Sequence, residues 1–157
     1  MIYTELTRLA INVAFEAHKN QRDRSGLPYI THPLHVAESM TSEDACVAAL
    51  LHDVIEDTDM TLKDLEKLGF TKKQLSAVDL LTRREGEDYF DYVKKIADND
   101  IATEVKLSDL AHNSDITRIN NPSEKDIKRL EKYHHAKMIL LSRMGNGCEK
   151  KIDMIKE

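Results

Sequence analysis

An apolar run that carries a histidine and an aspartate side by side sets the terms for any fold of this chain. Residues 43–55 are apolar almost all round, and the run closes with Leu50-Leu51-His52-Asp53-Val54-Ile55-Glu56-Asp57. That pattern predicts a central buried helix over 43–55. Ionisable side chains on it are costly to bury unless they bind something. His32, in Tyr29-Ile30-Thr31-His32-Pro33, and Asp109, in Val105-Lys106-Leu107-Ser108-Asp109-Leu110, stand in equally apolar surroundings. Together the four can form a two-His, two-Asp metal site. Imidazole plus carboxylate suits Mn, Fe or Zn better than Ca or Mg. Four protein ligands on a six-coordinate metal leave room for water and a phosphate oxygen. Such a metal lowers the pKa of water and neutralises phosphoryl charge. Glu56 and Asp57, one turn beyond His52 and Asp53, are placed to orient that water or move its proton. On the late helix Lys106, Asp109 and Asn113 share a face.

Helical periodicity recurs elsewhere. Ile2, Leu6, Leu9, Ala10, Val13 and Ala17 form one stripe, and a polar loop follows over 20–28 with Gly26 and Pro28. Pro33 can begin a second helix. Helices are expected over 61–68, capped by Thr61 and stopped by Gly69, and over 71–81, with Thr71 and Gln74 in a capping-box pattern. Tyr89, Tyr92, Val93 and Ile96 mark another, read as core packing. A further helix is expected over 101–119. A last one is capped by Ser123 and ended by Gly145 and Gly147. No alternating strand pattern and no repeat interrupts this series, so the chain is expected to be all-α, one domain with a helical bundle around a central metal site.

The bulk numbers narrow the function. A net charge of -5 implies no basic face, so nucleic-acid binding is not expected. A phosphorylated ligand then needs a local cluster, which Arg22, Arg24 and Lys106 can supply. The two cysteines make no disulfide framework, and Cys46 reads as a small core residue. No apolar run is long enough to span a bilayer and no leader pattern opens the chain, so no membrane partner is expected and the location reads as cytoplasmic. Oligomeric state is left open.

The segments Gln21 with Ser25-Gly26, Pro28-Tyr29-Ile30-Thr31-His32-Pro33, Leu51-His52-Asp53-Val54-Ile55-Glu56-Asp57-Thr58 and Val105-Lys106-Leu107-Ser108-Asp109 with His112-Asn113 resemble the HD-domain metal-dependent phosphohydrolases. The likeness is greatest to the branch that hydrolyses guanosine tetraphosphate (ppGpp), and it runs from about His18 to Tyr133. It implies that His32, His52, Asp53 and Asp109 bind Mn2+, with Fe2+ or Zn2+ as alternatives, and that Glu56 and Asp57 act in hydrolysis. It also implies that Asn113 contacts the nucleotide sugar and that Arg129 and Tyr133 line the pocket. On this reading residues 1–145 form the HD domain and 146–157 a charged tail. Two positions depart from the family. Asp23, between Arg22 and Arg24, stands where the family has an arginine that packs on guanine. Leu110 stands where it has an arginine after the last Asp ligand. Both leave the metal chemistry intact and bear on substrate choice; Asp23→Arg is expected to tighten guanine preference.

Three functions follow in order. The first is a metal-dependent hydrolase that removes the 3′-pyrophosphate of guanosine tetraphosphate or a related nucleotide. The second is an HD-family nucleotide phosphomonoesterase or phosphodiesterase. The third is a catalytically weak nucleotide-binding regulatory module. Other polar residues take plainer readings. His18 and His35 are packing or surface residues, His112 is structural or supporting, His134 and His135 sit at a helix surface or core edge, and Arg83-Arg84 and Lys94-Lys95 form solvated faces.

Overall fold

Residues 45–51 have no exposed surface at all. They belong to α3 (Glu43–Leu51), which Ser42 opens by accepting a hydrogen bond from the Ala45 amide. Around it stand α1 (Glu5–His18), α2 (Thr31–Glu38), α6 (Lys72–Leu81) and α8 (Asp100–Asn113), all in contact with it. Short α4 (Val54–Asp57) and α5 (Leu62–Lys67) link α3 to α6, while α7 (Tyr89–Ile96) and α9 (Glu124–Asp153) pack together on the outside. A single 3-10 turn, Ile116–Arg118, follows α8. The computed structural model describes the backbone of residues 1–118 and 121–153 and the side chains of residues 1–118 and 121–143. The fold is all-helical. Among the described residues the only extended pairing is one antiparallel bridge between Arg22 and Pro28.

Small side chains bring the helices to α3. Ala10 and Ala14 of α1, Ala37 of α2, Ala77 of α6 and Ala102 of α8 are all fully buried, as are Ala45, Ala48 and Ala49. Interaxial distance is set by the side chains at the crossing, so alanine at these crossings lets backbones approach closely. Leu50, Leu51, Val36, Val47 and Val78 fill the space between. Capping follows the sequence at Thr61 and at Thr71 with Gln74, and Gly69 leaves α5 with φ +100.

Four boundaries differ from expectation. The central helix does not run to Ile55: it stops at Leu51, and α4 begins at Val54. His52 Nδ1 lies 2.6 Å from the Ala49 carbonyl, the acceptor that a regular helix gives to the amide of residue 53. The helix expected over 101–119 ends at Asn113, where the Ser114 amide closes back on Leu110, Ala111 and His112. Ile119 lies outside the described residues. The last helix is not ended by Gly145 and Gly147 and continues to Asp153. The division at 145 and the charged tail fall on residues whose side chains lie outside the described set. Helix α2 also starts earlier than Pro33, at Thr31, which puts the proline inside the first turn where its missing N–H costs no helical bond. Among the described residues no helix is long and apolar enough to cross a membrane.

Candidate metal centre and its two cavities

Four side chains from three helical regions meet behind α3. His32 comes from the first turn of α2, His52 and Asp53 from the break between α3 and α4, and Asp109 from the last turns of α8. His32 Nε2 is 3.2 Å from His52 Nε2 and 3.2 Å from Asp109 Oδ1. His52 Nε2 is 3.0 Å from Asp53 Oδ2 and 3.8 Å from Asp109 Oδ1. One ligand atom each from His32, His52 and Asp109 lies within 4.8 Å of the others, and all three residues are buried. Asp53 is the most open of the four, at 22% side-chain exposure, and joins the group through its contacts with both imidazoles.

The ring orientations are fixed from behind. His52 Nδ1 donates to the Ala49 carbonyl, so that in the uncharged ring the Nε2 lone pair faces inward, open to a proton or a cation. His32 Nδ1 meets His112 Nδ1 at 2.6 Å, and His35 stacks on His112 with centroids 4.1 Å apart. Burial and the neighbouring His32 and Arg118 push the His112 pKa down to about 4, so at neutral pH His112 is uncharged and accepts from His32. His32 Nε2 then also turns a lone pair inward. Two imidazole lone pairs and two carboxylates thus face one another, an arrangement that demands positive charge. The titration behaviour reflects that demand. Burial works against ionising Asp109, yet Lys106 and the two histidines hold its pKa well below the ordinary range. Burial likewise opposes charging His52, yet Asp53 and Asp109 raise its pKa well above normal. A divalent cation meets the demand with this donor set.

Outer contacts complete the centre. Lys106 Nζ is 2.7 Å from Asp109 Oδ2, and Asn113 Nδ2 donates to Asp109 Oδ1 at 2.5 Å, so all three share one face of α8. Tyr29 donates to Asp53 Oδ2 at 2.6 Å. Glu56 and Asp57 part company. Glu56 Oε2 accepts the Arg83 amide at 3.0 Å and lines a cavity with Asp53 and Asp109. Partial burial pushes its pKa up, the Arg83 amide offsets some of this and Asp53 adds to it. Asp57 lines neither of the two cavities beside the centre. Its Oδ2 accepts from Gln21 Nε2 at 2.9 Å, and Gln21 Oε1 in turn meets His18 Nδ1 at 2.7 Å. His18 is therefore a packing residue, 2% exposed, that also holds the loop glutamine.

Two cavities flank the centre and share Tyr29, Asn113 and Tyr133 as a wall. The first, about 360 Å³, is lined by Arg22, Arg24, Arg129 and His32, joined by Asp23 and Arg118. The second, about 210 Å³, holds Asp53, Glu56, Lys106 and Asp109, with Arg83, Tyr89, Tyr92 and Lys132. All six residues expected to meet substrate, Arg22, Arg24, Lys106, Asn113, Arg129 and Tyr133, line one cavity or both. Arg24 is tied to Asp126 at 2.9 Å. Asp23 turns back into its own loop: its carboxylate accepts the Ser25 and Leu27 amides, both at 2.9 Å, and pairs with Arg118 at 3.0 Å. Asp23→Arg would thus break a loop closure and set two guanidinium groups together, so any gain in guanine preference would come with the loss of these loop contacts.

Sequence reasoning missed Arg83, Tyr89, Arg118 and Lys132. Arg83 read as a solvated face and Tyr89 as core; both line the second cavity. Only Lys132 carried a usable signal, since it lies three residues after Arg129 and one before Tyr133.

A sequence model described as an HD domain matches residues 10–100. The bifunctional (p)ppGpp synthase/hydrolase SpoT of Escherichia coli (strain K12) is 38% identical over 121 residues, which cover 68% of this chain and 17% of that protein. The guanosine-3′,5′-bis(diphosphate) 3′-pyrophosphohydrolase MESH1 of Danio rerio is 46% identical over 66 residues, 37% of each chain. The chain thus spans well under half the length of these curated relatives. A solved structure described as a metazoan ortholog of SpoT that hydrolyzes ppGpp superposes with a TM-score of 0.70 at 25% identity, covering 91% of this chain and 87% of the other.

Proposed function

We propose, on the premise that this chain belongs to the HD-domain family, that it is a metal-dependent phosphohydrolase removing the 3′-pyrophosphate of guanosine tetraphosphate or a closely related nucleotide. The observation that carries this reading is the inward-facing set of His32, His52, Asp53 and Asp109 lying between two cation-lined cavities. The names and shared fold of the relatives support the substrate class.

His32, His52, Asp53 and Asp109 would hold the ion, and the mixed donor set supports Mn2+, with Fe2+ or Zn2+ as alternatives. When bound, the ion supplies positive charge to a phosphoryl oxygen and lowers the pKa of water. The chain supplies the rest. Glu56, with its raised pKa, takes the proton from the attacking water. Asp57 holds Gln21 and so fixes the loop that borders the first cavity. Arg22, Arg24, Arg129, Asn113 and Tyr133 receive the nucleoside in that cavity. Lys106 steadies Asp109 and faces the second cavity with its charge.

A phosphomonoesterase or phosphodiesterase of the same family stays as the second reading. It is favoured by Asp23, whose carboxylate is spent on its own loop and on Arg118 and leaves the base unclasped at that point. Incubation with Mn2+ and a nucleotide panel, followed by product analysis, separates the two. Guanosine tetraphosphate should yield guanosine 5′-diphosphate and pyrophosphate. Cleavage of simple monophosphates with guanosine tetraphosphate untouched would replace the first reading by the second.

A further inference from the structure

Arg83 and Lys132 both line the second cavity, and neither makes an ion pair among the described residues. Their neighbours do: Arg84 pairs with Asp79, Lys95 with Glu87 and Arg129 with Asp126. Among the described residues the Arg83 guanidinium donates only to the Glu87 carbonyl, with Nε at 3.1 Å. Lys132 Nζ sits 4.4 Å above the Tyr89 ring and Arg83 Cζ 5.7 Å from the same ring. The two cations therefore flank one aromatic side chain, and that side chain ends in a buried hydroxyl with no hydrogen-bond partner among the described residues. A buried hydroxyl left unpaired costs free energy unless something arrives to satisfy it.

The local charge points the same way. Asp109 is paired with Lys106 and Asp53 faces the metal centre, so within this cavity Glu56 alone stands against Arg83 and Lys132. The cations also repel one another: besides burial, Arg83, Arg129 and Lys106 each lower the Lys132 pKa. Like charges held together around a polar space of about 210 Å³ are the complement of an anion.

We infer that Arg83, Lys132 and the Tyr89 hydroxyl seat a second phosphoryl group beside the one at the metal centre, so that the chain selects linked diphosphoryl groups over phosphate monoesters. This rests on the phosphohydrolase reading above and names the residues that make the selection.

The test compares Mn2+-loaded wild type with Lys132→Met and Tyr89→Phe. Lys132 is solvent-exposed and Tyr89→Phe removes only an oxygen, so both variants should keep the fold. Calorimetry with inorganic pyrophosphate and orthophosphate gives affinities. Steady-state kinetics follow with a nucleoside 3′-diphosphate and the matching 3′-monophosphate. Wild type should bind pyrophosphate more tightly than orthophosphate. Loss of a charge-assisted contact in Lys132→Met should weaken pyrophosphate about tenfold or more. The ratio of kcat/KM between the two nucleotides should fall with it, mainly through KM. Equal affinity of wild type for both anions, or an equal loss for both anions in the variants, would overturn the seat. Selective pyrophosphate binding without turnover of any nucleotide would support the seat and defeat the hydrolase reading alone.

Discussion

Glu56 and Asp57 are neighbours in sequence yet serve different surroundings. Glu56 faces the cavity that holds Asp53 and Asp109, whereas Asp57 fastens Gln21. Glu56→Gln should keep the fold and the metal content but slow hydrolysis by roughly a hundredfold or more, the usual scale of lost acid–base assistance. Wild-type turnover in that variant would remove the assigned role. His112 acts one step further out, by orienting His32 from behind. His112→Phe keeps the stacked ring but loses the acceptor, and metal affinity should drop about tenfold to a hundredfold. Titration of the apo-variant with Mn2+ measures this; unchanged affinity would mean that His32 orients itself. The grouping of His32, His52, Asp53 and Asp109 was legible because ionisable residues in apolar runs need a common purpose. The second cavity was not, because Arg83 is an exposed residue of the loop after α6 and Lys132 an exposed residue of α9. Only the packing of α7 against α9 and of α6 against α7 aims them at one ring.

The central helix shows how far periodicity reaches. An apolar run predicts burial, and α3 is buried along its length, but nothing in the run foretells the stop at His52. That stop depends on a side chain taking a backbone acceptor. Leu50, fully buried where α3 meets its neighbours, should cost about 2–5 kcal/mol on change to alanine. Urea denaturation gives the value, and a loss well below that range would mean that the surrounding helices collapse onto the gap. The loop over 20–28 is held by a different device, the Asp23 carboxylate. Burial disfavours its charge, but the Leu27 and Ser25 amides and Arg118 win and lower its pKa. Its contribution to stability is therefore complete above the unfolded carboxylate value of about 3.9 and is lost as pH falls through the lower folded value. Denaturation curves for wild type and Asp23→Asn should differ at neutral pH and converge as the pH falls through the lowered folded value. A gap that stays constant with pH would show that the charge is not what closes the loop.

At the scale of the molecule, an acidic chain surrounds a basic cleft. The net charge is -5, yet the two cavities gather Arg22, Arg24, Arg83, Lys106, Arg118, Arg129 and Lys132. The predominance of helix and the single core were legible from composition and spacing. The cleft was not, since its walls come from the loop over 20–28, α4, α7, α8 and α9 together. One feature of the centre also bears on how the chain is kept folded. The four inward-facing side chains are drawn from positions 32 to 109, so they meet only when α2, α3 and α8 are packed. The unfolded chain has no such site, and an ion that binds only the native state adds to its stability by mass action. At a hundred times its dissociation constant the gain is about 2.7 kcal/mol. Stripping the ion with a chelator should therefore lower Tm, and adding Mn2+ back should raise it in step with concentration. A Tm indifferent to both would mean the centre holds no ion. Ion occupancy here is thus also a thermostat setting: scarcity of the ion would loosen the very packing that creates its site.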